Sequence, residues 1–78
     1  MTATGMVLSV DEEWITIRTR SDGNKRFLLR HDTRYIGDGI RTERQSLARN
    51  TRVFVRAGKN YEGVIEAYQV IWGEILKP

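Results

Sequence analysis

Apolar and polar side chains alternate most regularly through Trp14-Ile15-Thr16-Ile17-Arg18-Thr19-Arg20, which puts Ile15, Ile17 and Thr19 on one face and Trp14, Thr16, Arg18 and Arg20 on the other. A period of two belongs to an extended strand with one face buried, and the β-branched residues here suit a pleated surface. The same alternation returns in Thr51-Arg52-Val53-Phe54-Val55-Arg56-Ala57, with Val53, Val55 and Ala57 inward and Arg52, Phe54 and Arg56 outward. No helical spacing competes in either stretch.

Three further strands follow from the same pattern. Gly5 to Val10 reads as a first strand, and the three-residue step between Val7 and Val10 predicts a bulge. Asp22-Gly23 is a hairpin signal, because glycine takes positive φ without a Cβ clash, and it leads into a strand from Lys25 to Arg30 with Phe27 and Leu29 inward. After a turn from Gly58 to Gly63, Val64 to Ile75 reads as the last strand, in which a bulge at Tyr68-Gln69 keeps Val70 and Trp72 on the side of Ile65 and Ala67.

Between His31 and Asn50 the alternation fades. Gly37-Asp38-Gly39 marks a turn, and Thr42 to Arg49 offers at most one short helical turn. Five strands with the longest connection between the third and fourth predict an all-β fold, a small five-stranded OB-like barrel; an SH3-like barrel of the same strand count is the alternative.

At 78 residues the chain is read as a single domain, 1–78, and its 40% of apolar residues is that of a folding sequence. It has no cysteine, so no disulfide supports so small a core. No apolar run reaches about 18 residues, and Met1 to Gly5 lacks the basic and apolar regions of a signal peptide. The expectation is a soluble protein without membrane insertion, cytoplasmic as it stands or exported if a signal peptide has been removed. Ile71, Trp72, Ile75 and Leu76 make an apolar end that either closes the barrel or pairs with a neighbour.

Thirteen Lys and Arg against ten Asp and Glu give a net charge of +3, a modest footprint for nucleic acid. The lone His31 stands beside Asp32, and Ser9, Ser21 and Ser46 fall in no nucleophile motif, so no catalytic residue is expected. Gly37-Asp38-Gly39 lacks the residues of a phosphate loop, and Met1 and Met6 lie far in sequence from His31, so neither a cofactor nor a metal is expected. The candidate binding residues are those of outward parity: Trp14, Arg18, Arg20, Arg52, Phe54 and Arg56, which Lys25, Arg30 and Tyr68 can join. Aromatic rings stack bases and guanidinium groups track phosphates, but outward arginine also keeps small barrels soluble and protects their edges.

Three stretches together resemble a bacterial family of small barrels, domain-of-unknown-function family 5666. They are Gly5-Met6-Val7-Leu8-Ser9-Val10-Asp11 leading to Ile15-Thr16-Ile17 and Asp22-Gly23; Phe27-Leu28-Leu29 with Asp32-Thr33-Arg34-Tyr35; and Leu47 to Val55 with Gly63-Val64-Ile65-Glu66-Ala67. The resemblance implies an OB-like fold and no assigned activity. Asn50 stands where the family pattern usually has glycine before the fourth strand, and asparagine tolerates the left-handed conformation required there. The functional expectation is a non-enzymatic binding or structural module with a protein or envelope partner, the alternative being single-stranded nucleic-acid binding by the arginine and aromatic face.

Overall fold

Alternation becomes architecture in the computed structural model, which describes residues 1–74. Its elements are β1 (Thr2–Val10), β2 (Trp14–Thr19), β3 (Asn24–Gly37), β4 (Ile40–Thr42), a 3-10 turn (Arg44–Ser46), β5 (Arg52–Lys59) and β6 (Ile65–Trp72). Pairings β1–β2, β2–β3, β3–β6, β6–β5 and β5–β1 close a five-stranded barrel, with β3–β6 parallel and the others antiparallel. The short β4 pairs with the end of β3 and stands as a sixth strand outside the closed ring. The all-β barrel and its single 3-10 turn agree with the alternation pattern. Ile75 and Leu76, read from sequence as part of an apolar end, lie outside the described residues.

Both expected bulges are present, and each has a consequence for which side chains reach the core. Val7 pairs with Ile17 and Ser9 with Thr16, so Leu8 is the additional residue that returns Val10 to the inner side. On β6, Arg56 pairs with Gln69 and Ala57 with Ala67; Tyr68 is the additional residue there, and Val70 and Trp72 stay buried. A bulge bends its strand and strengthens its twist, which closure of a five-stranded ring requires.

The interior is filled by Val7, Ile15, Ile17, Phe27, Leu29, Val53, Val55, Ala57, Ala67, Val70 and Trp72, with Leu47 added from the connection after the 3-10 turn. Leu47 is apolar and buried although its neighbours Ala48 to Asn50 are exposed, and it joins the core that the strands leave open at that end. Asn50 has φ 65, as the expected left-handed residue. Its N–H donates to Val7 O at 2.8 Å, and Val7 N–H donates to Thr51 O at 2.9 Å, which fixes the entry of β5 beside β1.

The main departure from the sequence pattern is β3, which continues past Arg30 to Gly37. Leu29 pairs with Ala67 and Arg34 with Gln69, so residues 30–33 bulge out of the ladder and hide the period-two signal on either side. Thr33 holds this distortion: its buried hydroxyl donates to Ala67 O at 2.8 Å and accepts from Arg30 N–H at 2.9 Å. Beyond it, Asp38 (φ 54) and Gly39 (φ 79) form a two-residue hairpin turn into β4.

Gly37 is the inner-face partner of Trp72, whose ring covers it; a Cβ there would come within 2.8 Å of Trp72 Cε2. Gly37→Ala is therefore expected to push the indole out of place and to destabilise the fold by about 1–3 kcal/mol. Denaturant unfolding followed by tryptophan fluorescence tests this, with an unchanged midpoint as the contrary result.

Candidate functional site

Residues that are Cα partners across neighbouring strands project to the same side of a sheet, so the pairings assemble the outer surface directly. Strands β1, β5, β6, the second half of β3, and β4 form one continuous twisted sheet. Three rows cross its outer face. Met6 of β1 lies beside Arg52 of β5 and, on its other side, Arg18 of β2. Next come Thr4, Phe54, Ile71, Ile36 and Arg41, from β1 across to β4. The last row is Thr2, Arg56, Gln69 and Arg34.

Phe54, Ile71 and Ile36 thus make a half-buried apolar strip, and Arg52, Arg56, Arg34 and Arg41 stand exposed around it. Two shallow grooves run through this face. One is lined by Thr4, Gly5, Met6, Arg18, Arg20 and Arg52. The other is lined by Asp32, Arg34, Arg56, Tyr68 and Gln69, and in it Arg56 Nη1 donates to Gln69 Oε1 at 3.4 Å. Tyr68, 57% exposed, lays its hydroxyl end over Gly58, and its bulged position turns the ring toward this groove.

Among the described residues the ion pairs are Lys25–Asp22 at 3.9 Å and Arg30–Glu66 at 3.5 Å. Lys25 and Arg30, which parity alone could add to the face, are held by carboxylates elsewhere, whereas Arg18, Arg20, Arg34, Arg41, Arg52 and Arg56 have no such partner among the described residues. Asp32 is the one carboxylate lining either groove.

Five of the six residues singled out by parity, Arg18, Arg20, Arg52, Phe54 and Arg56, come together here. Trp14 does not. It pairs with Leu28 at the far end of β2, and the Arg26 guanidinium sits 3.7 Å from its ring centroid, so one face of the indole is already occupied. The loop beside it is acidic: Asp11, Glu12 and Glu13 line a shallow groove with Trp14. Asp11 Oδ1 accepts from the N–H groups of Glu13 and Trp14, both at 2.8 Å, and these bonds hold its carboxyl below the usual 3.8.

Arg34, Ile36, Arg41 and Ile71 were not legible as site residues, because Arg34 and Ile36 belong to the half of β3 beyond the bulge. The signal that could have found them is Asp38-Gly39, the same hairpin dipeptide as Asp22-Gly23, flanked by β-forming Tyr35-Ile36 and Ile40. On the opposite side, His31 lies exposed in a groove with Glu12, Arg30, Tyr35, Glu43 and Arg44. Burial pushes the Tyr35 phenol up, with the Arg44 charge opposing. No group of three or more His, Cys, Asp or Glu side chains stands together among the described residues. Compared with protein-family models, curated proteins and solved structures, the chain matches none.

Proposed function

We propose that this chain is a non-enzymatic binding module of the OB kind that holds single-stranded nucleic acid on the outer face of β1, β5 and β6. The connectivity supports the fold assignment: the ring order β1-β2-β3-β6-β5 with a parallel pair is that of an OB barrel, whereas an SH3-like barrel is wholly antiparallel. The observation that carries the function is the clustering, around Phe54 and Tyr68, of arginines that form no ion pair among the described residues. Guanidinium groups pair with phosphates, and aromatic faces stack bases of any identity at about 1–3 kcal/mol each.

Affinity should be weak and sequence-tolerant, because both grooves of this face are shallow and open. Arg52 and Lys59 lie at opposite ends of β5 and carry the same charge, which gives an internal control. Fluorescence anisotropy with a labelled ten-residue oligothymidylate at low salt is expected to show about a fivefold loss for Arg52→Ala and little change for Lys59→Ala. Equal losses would reduce the effect to net charge, and absence of binding by the unaltered protein would remove the proposal.

A protein partner is the second reading. It is favoured by the short edge strand β4, whose outer side pairs with nothing among the described residues and whose Ile40 is 70% exposed, an arrangement open to strand addition.

A further inference from the structure

An OB barrel ordinarily offers the wall of its second and third strands to an oligonucleotide. In this chain that wall is ill suited. Its outward positions are Trp14 with Leu28, Thr16 with Arg26 and Arg18 with Asn24, and one face of its large ring is taken by Arg26. Asp11, Glu12 and Glu13 sit at its end, where a phosphate would meet like charge.

The opposite sheet has what this wall lacks, and it has been widened. In a ring of five strands β3 would end against β6, but here the Asp38-Gly39 hairpin adds β4 and places Arg41 next to Ile36. The Phe54-Ile71-Ile36 strip therefore continues to a cation at its far margin, with Arg34 one row away. From β1 to β4 there are four strand spacings, about 19 Å at about 4.8 Å each. Followed along the curved wall at about 3.4 Å per nucleotide of a stacked strand, that path takes about six nucleotides, more than the shortest site of an OB fold, about four.

We infer that single-stranded nucleic acid crosses the strands of this second sheet, from the Arg18–Arg52 corner over Phe54, Ile71 and Ile36 to Arg34 and Arg41 on the added hairpin, leaving the part of the β2–β3 wall around Trp14, Thr16, Arg26 and Leu28 unused. The inference rests on the binding reading above and adds to it a direction, a length and two further phosphate-binding residues. Arg34 and Arg41 act as the distal half of the track and matter only when the strand is long enough to reach them. Asp32, in the groove with Arg34 and Arg56, weakens that half by repelling the backbone.

Chain length and salt slope separate the two claims. With labelled oligothymidylates of four and ten residues, the slope of log affinity against log salt for the unaltered protein is expected to be steeper for the longer probe. Arg41→Ala and Arg34→Ala should each flatten the ten-residue slope by about 0.7 and leave the four-residue slope unchanged, whereas Arg52→Ala should weaken both probes. Asp32→Asn should tighten the ten-residue probe about twofold. If Arg52→Ala weakens both probes but neither Arg34→Ala nor Arg41→Ala alters the longer one, the track over the hairpin is refuted and the binding reading stands. If a Trp14→Ala variant loses the ten-residue probe instead, the ligand uses the β2–β3 wall and the inference is wrong. Failure of both probes to bind the unaltered protein overturns the reading and the inference together.

Discussion

Phe27→Ala is expected to cost about 3–5 kcal/mol of folding free energy, the largest single loss in the molecule. Phe27 is fully buried, is the largest of the completely enclosed side chains, and pairs with Ile15 across the β2–β3 hairpin. The barrel is closed on all sides of it, with Val7, Ile17, Val53, Val55 and Val70 also fully buried, so the surrounding strands cannot collapse into the void without breaking ladder hydrogen bonds. A small domain buries a modest fraction of its chain, and a loss of this size consumes much of its stability. Urea unfolding followed by far-ultraviolet circular dichroism measures it. A loss under about 1 kcal/mol would mean that the interior is loosely packed.

Raising salt from about 50 to about 200 mM is expected to weaken binding of a ten-residue oligothymidylate about 50-fold. The size follows from counterion release: each neutralised phosphate contributes about 0.7 to the logarithmic slope for a single strand, and about four contacts give a slope near about −3. Six arginines without carboxylate partners among the described residues are available for those contacts, and they are exposed, so screening reaches them fully. A slope near zero would mean that stacking on Phe54 and Tyr68 or an unrelated contact carries the affinity. The protein's net charge of +3 is too small to produce such a slope without local clustering.

Much of the barrel could be read from the sequence because a half-buried strand writes its burial into alternate positions. The alternation puts Ile15, Ile17, Phe27, Leu29, Val53, Val55, Ala57, Ala67, Val70 and Trp72 inward, and all of them are buried. Even the bulges left a trace, since a three-residue step between inward residues is what one extra residue in a strand produces. The second half of β3 left none. Residues 30–33 leave the ladder through the side-chain hydrogen bonds of Thr33, and a hydroxyl that bridges two backbone groups is invisible to a test of apolar period.

The candidate site was partly legible for the same reason. Parity says which residues leave the core but not which strands lie side by side, and adjacency is what separates Trp14 from Arg52. Arg18 and Arg52 are 34 positions apart in sequence and come together only because each is a Cα partner of Met6 on the strand between them. The neighbours that matter most for the track are set by pairings that parity does not show, Ile36 by the β3–β6 register beyond the bulge and Arg41 by the β3–β4 hairpin. The stacking of Arg26 on Trp14 depends on register between β2 and β3, which a turn sequence constrains but does not fully set.

Binding of single-stranded nucleic acid across β1, β5 and β6 is tested by titrating isotopically labelled protein with a ten-residue oligothymidylate at low salt, followed through backbone amides, the arginine Nε–H groups and the tryptophan indoles. Met6, Arg52, Phe54 and Ile71 are expected to move together and saturate at one concentration, while the Trp14 indole stays in place. Unmoved resonances across β1, β5 and β6 at a tenfold excess of oligonucleotide would contradict it.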